Sequence, residues 1–363
     1  MRLVILCGGE SSERDVSLAS GWSVARAALE RGHEVVLVDP AAEVPVLAGP
    51  LRPGDPVDAV GVGKEPPSPL DRHRLRRRMH AALTGGPVLD LLRGAESVFL
   101  ALHGGWGEDG HVQALLEMAG VRFTGAGSAA CAAAWHKGRA QAVLGAAGVP
   151  VAERVLWRPG AGEAPQDVQR LVGAGPVVAK PVADGSSVAV HRVDSLSQLA
   201  QVAAEVHAAN SANSANSEDS AYSEDSGGGE LLVEPFLPGR EFTVAVVGDE
   251  VLPVVEIELT TPLFDYAAKY QPGAVGEVCP ARIPADFAGR LQELALRAHQ
   301  ALGFGSGTYS RTDFRCDAGG EPMCLETNAL PGLTATSLVP RAAAGAGWTY
   351  PDLIQRIVDL ATR

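Results

Sequence analysis

The chain has 363 residues, more than one small hydrophobic core serves, so two or three domains are expected. Hydrophobic residues make up 46% and charged residues 20%, a globular balance that excludes a wholly disordered or fibrous chain. Thirty basic against 43 acidic residues give a net charge of −13, the wrong overall sign for gripping nucleic acid by its phosphates.

The first apolar residues, Leu3 to Cys7, give way at once to Gly8-Gly9-Glu10. That run is too short for a signal-peptide core, and no later run reaches the length of a membrane span. Five cysteines without a C-x-x-C pair suggest neither a disulfide framework nor a zinc site, so a reduced, cytoplasmic chain without membrane contact is expected. Residues 3–6 form a buried strand, residues 17–30 a helix stopped by Gly32, and residues 34–38 a second strand. This is a βαβ unit, and residues 97–102 add a strand of the same kind. The loop from Gly8 to Glu13 then lies at the carboxyl end of a parallel sheet, where open α/β sheets bind ligands. It lacks the G-x-G-x-x-G spacing of a dinucleotide site.

Residues 66–78 carry three prolines and then Arg72, Arg74, Arg76, Arg77 and Arg78, assigned on so acidic a chain to a solvated helix face. The alanine-rich residues 129–147 form a helix ending at Gly148. Residues 208–229 are low in complexity, cannot bury a core and are expected to be a mobile surface insertion. Residues 230–233 and 241–247 are strands, and residues 284–302 and 350–361 are helices.

Four of the 30 basic residues are lysine: Lys64, Lys137, Lys180 and Lys269. A chain that uses arginine for ordinary surface charge marks its few lysines as candidates for work such as touching phosphate oxygens. The sharpest constellation lies between Tyr309 and Asn328. Residues 309–315 alternate as a strand, Asp317 to Pro322 is turn chemistry, and residues 323–328 form a return strand. A hairpin centred on Gly319-Gly320 sets Asp313 opposite Glu326 and Arg311 opposite Asn328, all on one face. Opposed carboxylates repel unless a cation lies between them. An Asp, a Glu and an Asn carbonyl are hard oxygen ligands suited to Mg²⁺ held against phosphates, and the arginine suits a developing oxyanion. Asp184-Gly185-Ser186-Ser187 is a small-residue loop able to cradle phosphate. His103-Gly104-Gly105-Trp106-Gly107-Glu108-Asp109-Gly110 places a histidine at a strand end.

Six segments in order then carry a resemblance. They are Gly8-Gly9-x-Ser11-x-Glu13 with Val16-Ser17-Leu18; the His103 to Gly110 loop; Lys180-Pro181 with Gly185-Ser186-Ser187; Asp265-Tyr266-x-x-Lys269-Tyr270; Arg311-x-Asp313 with Glu326-x-Asn328; and Pro331-Gly332-Leu333-Thr334-x-x-Ser337-Leu338. Nearly end to end, the chain resembles the D-alanine–D-alanine ligases of the ATP-grasp superfamily.

The resemblance implies a three-domain α/β ATP-grasp enzyme with an N-terminal open parallel-sheet (Rossmann-like) domain. It implies ATP-dependent joining of two D-alanines through an acylphosphate, for peptidoglycan precursors. By resemblance, Lys137, Lys180 and Lys269 hold nucleotide phosphates, Glu234 and Leu237 line the adenine pocket, and Glu241 meets the ribose. Asp313, Glu326 and Asn328 bind two Mg²⁺ (or Mn²⁺) ions. Glu13 pairs with the first ammonium and closes the site with Ser186 and Tyr270. Arg311 and the N–H of Gly332 stabilise the oxyanion. His103, Ser337 and Leu338 bind substrate, the last two through the second carboxylate. Tyr270 beside Lys269 favours an amine as the second nucleophile over the hydroxyl of D-lactate.

His136, Ala189 and Ala329 depart from the family pattern, which usually has Asp, Gly and Thr there. Residues 1–124, 125–237 and 238–363 are expected as three domains, with ATP between the last two and the chain paired as a homodimer. Two other readings remain open: a ligase of the same mechanism for another amino-acid pair, and a nucleotide-binding regulator without catalysis.

Overall fold

The computed structural model describes residues 1–57, 60–63, 67–160, 162–183, 185, 189–215, 229–259 and 275–362, with backbone alone at 69, 208–215 and 275. Near the N-terminus come β1 (Arg2–Leu6), α1 (Arg14–Glu30), β2 (Glu34–Val38), β3 (Val46–Leu51), α2 (Pro69–Thr84), α3 (Pro87–Arg93), β4 (Ser97–Leu100) and α4 (His111–Met118). The first sheet has the order β3-β2-β1-β4. β1 pairs in parallel with β2 and β4, as the βαβ reading requires. β3 returns antiparallel on the edge, because the short connection from β2 cannot make the crossover that a parallel neighbour needs. A Cβ at Gly21 would stand 2.5 Å from the Cβ of Cys7, so that glycine lets α1 lie directly on β1.

The alanine-rich helix is in fact two, α5 (Ser128–Trp135) and α6 (Lys137–Ala146). His136 is extended between them (φ −86°, ψ 98°), and its Nδ1 accepts the N–H of Arg139 to cap α6. There follow β5 (Val155–Trp157), α7 (Gln166–Ala174), β6 (Val177–Pro181), β7 (His191–Val193), α8 (Leu196–Ala215) and β8 (Leu231–Pro235). The second sheet runs β5-β8-β6-β7, all antiparallel. α8 extends through residue 215 and so includes the start of the low-complexity segment. Leu199, Val202 and Ala203 anchor its first half in the core. Once nucleated there, a helix extends cheaply through alanine-rich sequence. Residues 216–228 lie outside the described residues.

The third sheet holds β9 (Glu241–Val247), β10 (Glu250–Val251), β11 (Val255–Leu259), β12 (Val275–Val278), β13 (Tyr309–Cys316) and β14 (Pro322–Asn328), with α9 (Ala285–Ala301) in the chain between β12 and β13. Its order is β12-β11-β9-β13-β14, with β10 beside β9. Leu291, Leu294, Ala295 and Ala298 of α9 bury against Phe242, Val244 and Phe314. α10 (Leu338–Gly345) and α11 (Tyr350–Leu360) close the chain. Leu353, Ile354, Ile357 and Val358 of α11 join the core of the first sheet, so the C-terminus returns to cover α1. No helix among the described residues is long and apolar enough to cross a membrane.

β13 and β14 pair with Arg311 opposite Asn328 and Asp313 opposite Glu326, as the spacing predicts. Nearer the turn the register differs by one: Phe314 faces Cys324 and Cys316 faces Pro322. A bulge beyond Asp313 absorbs the extra residue, Leu325. β13 also has β9 on its other side, with Asp313 opposite Thr243 and Arg315 opposite Glu241.

Candidate active site

Gly8 and Gly9 turn the chain at the end of β1 with positive φ. A Cβ on Gly8 would strike the Asp39 carboxylate at 2.5 Å. That carboxylate accepts the N–H groups of Gly9 (3.1 Å) and Ala41 (2.9 Å) and pairs with Arg14. The pinned turn delivers two buried carboxylates, Glu10 and Glu13. Glu10 accepts the N–H of Trp106 at 3.0 Å, and Arg76 reaches it at 3.5 Å while stacking over the Trp106 ring. One arginine of the α2 cluster therefore points inward and locks the two glycine-rich loops together. Burial pushes the Glu10 carboxyl above its ordinary range, against the pull of Arg76.

Glu13 stands at the N-cap position of α1, and a Cβ at Gly185 would collide with its carboxylate. The backbone at Gly185 is thus brought against Glu13, and only glycine permits the approach. Ser186, Tyr270 and Lys269, expected beside them, lie outside the described residues, as does Lys64. Ala189 just after this loop has φ +55°, a backbone where a Cβ costs about 1–2 kcal/mol and glycine costs little. The departure from glycine noted in the sequence falls where it strains the chain.

His103 is buried with both ring nitrogens engaged. A carbonyl can only accept, so Nδ1 carries the proton and donates to Leu330 O at 2.9 Å. Nε2 then accepts the hydroxyl of Ser20 at 2.9 Å, and Ser20 Oγ accepts the N–H of Leu333 at 3.3 Å. His103 thereby fixes the segment around Gly332 to the first sheet. Burial pushes its pKa down to about 4, the Leu330 carbonyl opposing and Arg311 adding to the fall.

Folding therefore favours neutral His103. The stability this contributes is complete above pH 6.5, and about 3 kcal/mol is lost as pH falls from 6.5 through 4. We expect His103→Gln to lack that loss, so the stability gap between the two proteins, read by denaturant unfolding, narrows by about that amount in acid. A gap independent of pH would refute the assignment.

Glu108 accepts the N–H of Gly104 at 3.1 Å and that of Leu330 at 3.5 Å. Burial, then the neighbouring Glu13 carboxylate, hold it well above the usual carboxylate range. Sequence reasoning missed a role for Glu108, although it lies within the His103 to Gly110 motif.

On β13, Arg311 grips Asp313 with two bonds, Nε to Oδ1 at 2.9 Å and NH2 to Oδ2 at 2.8 Å. Thr243 Oγ1 donates to Asp313 Oδ1 at 2.6 Å, and Asn328 Nδ2 lies 3.2 Å from Oδ2. Burial works against the charge on Arg311, but Asp313, Glu326 and Glu108 outweigh it and hold the guanidinium charged. Lys137 Nζ stands 3.2 Å from Glu326. Sequence reasoning missed Thr243, which the pairing of β9 with β13 alone brings to Asp313.

Lys180 and Glu234 form a buried ion pair across β6 and β8. Leu237 is buried just beyond, and Glu241 meets Arg315 at 3.5 Å. Ser337 stands at the N-cap of α10, but its hydroxyl bonds Thr334 (N–H at 3.1 Å, Oγ1 at 2.7 Å) rather than its own helix. In the first turn of α10 the N–H groups of Leu338 and Val339 can face an anion, while Pro340 has none and that of Arg341 goes to Ser337 O at 3.0 Å. Gly332 lies close by, where a Cβ would sit 3.2 Å from Ser337 Oγ.

The donor set suits a divalent metal held with phosphate. Two carboxylates and an amide face one another across β13 and β14, with their charge offset by Arg311 and Lys137. Among the described residues no cluster of three His, Cys, Asp or Glu side chains could hold a metal by itself. The remaining ligands would be phosphate oxygens and water, the usual way Mg²⁺ is held beside a nucleotide.

Comparison with known proteins gives the family and the fold. The sequence model described as D-ala D-ala ligase N-terminus matches residues 2–126, and that described as D-ala D-ala ligase C-terminus matches residues 143–359. A D-alanine–D-alanine ligase of Oleidesulfovibrio alaskensis is 38% identical over 364 residues, covering 99% of this chain and 96% of the relative. A Bacillus anthracis D-alanine–D-alanine ligase solved with ATP superposes with a TM-score of 0.72 at 22% identity, covering 100% of this chain and 98% of the other. A D-Ala:D-Ser ligase from Enterococcus faecalis superposes with a TM-score of 0.69 at 24% identity, each chain being 99% covered. The structural likenesses establish an ATP-grasp fold. The two matching models, spanning nearly the whole sequence, place the chain in the D-alanine–D-alanine ligase family.

Proposed function

We propose that this chain uses ATP to join two D-alanines into D-alanyl-D-alanine for peptidoglycan precursors. The observation that carries the reading is the register that sets Asp313 opposite Glu326 and Arg311 opposite Asn328, with Lys137 against Glu326. In the first step a carboxylate oxygen of one D-alanine attacks the γ-phosphorus and ADP leaves. In the second, the amine of the other D-alanine attacks the acylphosphate carbon, gives up a proton, and phosphate departs.

Lys137 and Lys180 draw the nucleotide phosphates in by charge, joined by Lys269. Glu234 and Leu237 take the adenine and Glu241 the ribose. Glu13 holds the first ammonium, with Ser186 and Tyr270 completing that closure. Arg311 and the N–H of Gly332 receive the charge that develops on the carbonyl oxygen. Ser337 and Leu338 offer the helix N-terminus to the second carboxylate. His103 orients the Gly332 segment. Asp313, Glu326 and Asn328 would hold two Mg²⁺ (or Mn²⁺) ions, which neutralise charge on the transferring phosphoryl group.

In this reading residues 1–124, 125–237 and 238–363 are three domains, and the enzyme works as a cytoplasmic homodimer. The test is product identification by mass after incubation with ATP, Mg²⁺ and D-alanine, alone or with D-serine or D-lactate. D-alanyl-D-alanine as the main product is expected. Dipeptide only from another pair would transfer the assignment to a different ligase, and ATP binding without turnover would point to a regulator.

A further inference from the structure

Gln141 lies on α6 one turn beyond Lys137 and has no exposed surface. Its Nε2 donates to two acceptors, Glu234 Oε2 and the main-chain oxygen of Leu325, each at 3.2 Å. The first is on β8. The second is on β14, in the residue before Glu326. Its Oε1 is buried and has no partner among the described residues. Turning the amide over would set that oxygen against a carboxylate and a carbonyl, so electrostatics fixes its orientation. A leucine at this position would need no partners, whereas the glutamine leaves an acceptor unmet while both donor bonds are made.

The two oxygens of Glu234 have different keepers: Lys180 on Oε1 and Gln141 on Oε2. When phosphates draw Lys180 away, Gln141 is the group that still holds the carboxylate. We infer that Gln141 is a positioning residue for the nucleotide. It ties the carboxylate at the base end to the strand that carries the phosphate-end ligands, and so sets the spacing that ATP must match. The inference rests on the proposed reading of Glu234 and Lys180 as nucleotide contacts. A held Glu234 can accept from the exocyclic amine of adenine, while the corresponding carbonyl of guanine would face it oxygen to oxygen.

The test is steady-state kinetics of the full chain on Gln141→Met, Gln141→Lys and Gln141→Glu, with Glu234→Gln as reference and melting curves for each. Gln141→Met is expected to raise KM for ATP about ten-fold, the scale of one hydrogen bond to a charged group. It should also narrow the preference for ATP over GTP, with kcat and KM for D-alanine within about two-fold. Gln141→Lys, which keeps donors at the same place, restores KM for ATP, and Gln141→Glu, which adds a like charge, does not. If Gln141→Met does not fold, the contrast between the Lys and Glu variants decides.

An unchanged KM for ATP in Gln141→Met, with a raised one in Glu234→Gln, overturns the inference and leaves the pocket reading standing. No effect in Glu234→Gln overturns both. Equal rises in both KM values, with a lowered melting point and no rescue by Lys, show a structural role and overturn the inference.

Discussion

Asp313→Asn should lower D-alanine-dependent ADP release by about a thousand-fold or more, the scale of losing a charged ligand at a phosphoryl-transfer site. The substitution keeps the shape of the side chain and removes its charge. Asn is preferable to Ala because Asp313 is not an isolated ligand. Arg311, Thr243 and Asn328 all bond to it, and the Arg311 side chain is largely buried. Removing one member of such a pair leaves a buried charge alone and costs about 3–5 kcal/mol. Asp313→Ala would therefore weaken the fold as well as the chemistry, whereas the amide oxygen of Asn still accepts from Arg311 and Thr243 and limits that loss. Glu326 differs, since its own side chain keeps more exposure than that of Asp313, 26% against 12%. Glu326→Gln should abolish turnover with little change in melting temperature. A well-folded Asp313→Asn protein retaining more than a tenth of wild-type activity would remove the hairpin as the phosphoryl-transfer centre.

Arg311→Met is expected to cut kcat by about 10²–10³, the loss seen when one oxyanion donor is taken away. KM for ATP should move by less than about three-fold, because the proposed nucleotide contacts are Lys137 and Lys180. Arg311→Lys should recover little, since an ammonium cannot hold Asp313 with two parallel bonds and face an oxyanion at once. Positional isotope exchange in ATP separates the steps. If Arg311 acts on the carbonyl oxygen, exchange with the first D-alanine persists in Arg311→Met while dipeptide formation falls. Loss of both together would place Arg311 at the phosphate instead.

The hairpin was legible because two opposed pairs at sums of equal residue number, with a glycine turn between, allow few registers. The bulge at Leu325 was not legible: it is the place where the turn and the site demand registers that differ by one. The alanine-rich stretch concealed the break at His136, since alanine is permissive and carries no stop signal. The break follows from where the chain must go: Lys137 N–H donates to Val182 O at 2.8 Å, tying the start of α6 to the end of β6. The cap role of His136 explains how a histidine stands where the family usually has aspartate, because neutral Nδ1 accepts the same helix N–H that a carboxylate would. The arginine run on α2 was legible as a helix face, but not that Arg76 leaves it to reach Glu10 and Trp106.

By itself the sequence determined which residue types recur at which spacing: scarce lysines, glycine-rich loops after strands, and alternating acids on a hairpin. These are local properties, set by chain geometry and side-chain chemistry within a few residues. Only the tertiary structure decided which distant groups hydrogen-bond: Thr243 with Asp313, Gln141 with Glu234, and His103 with the backbone at Leu330. Such contacts depend on strand order and helix placement. Those arise from burying apolar faces across the whole chain, and no short window of sequence contains that information.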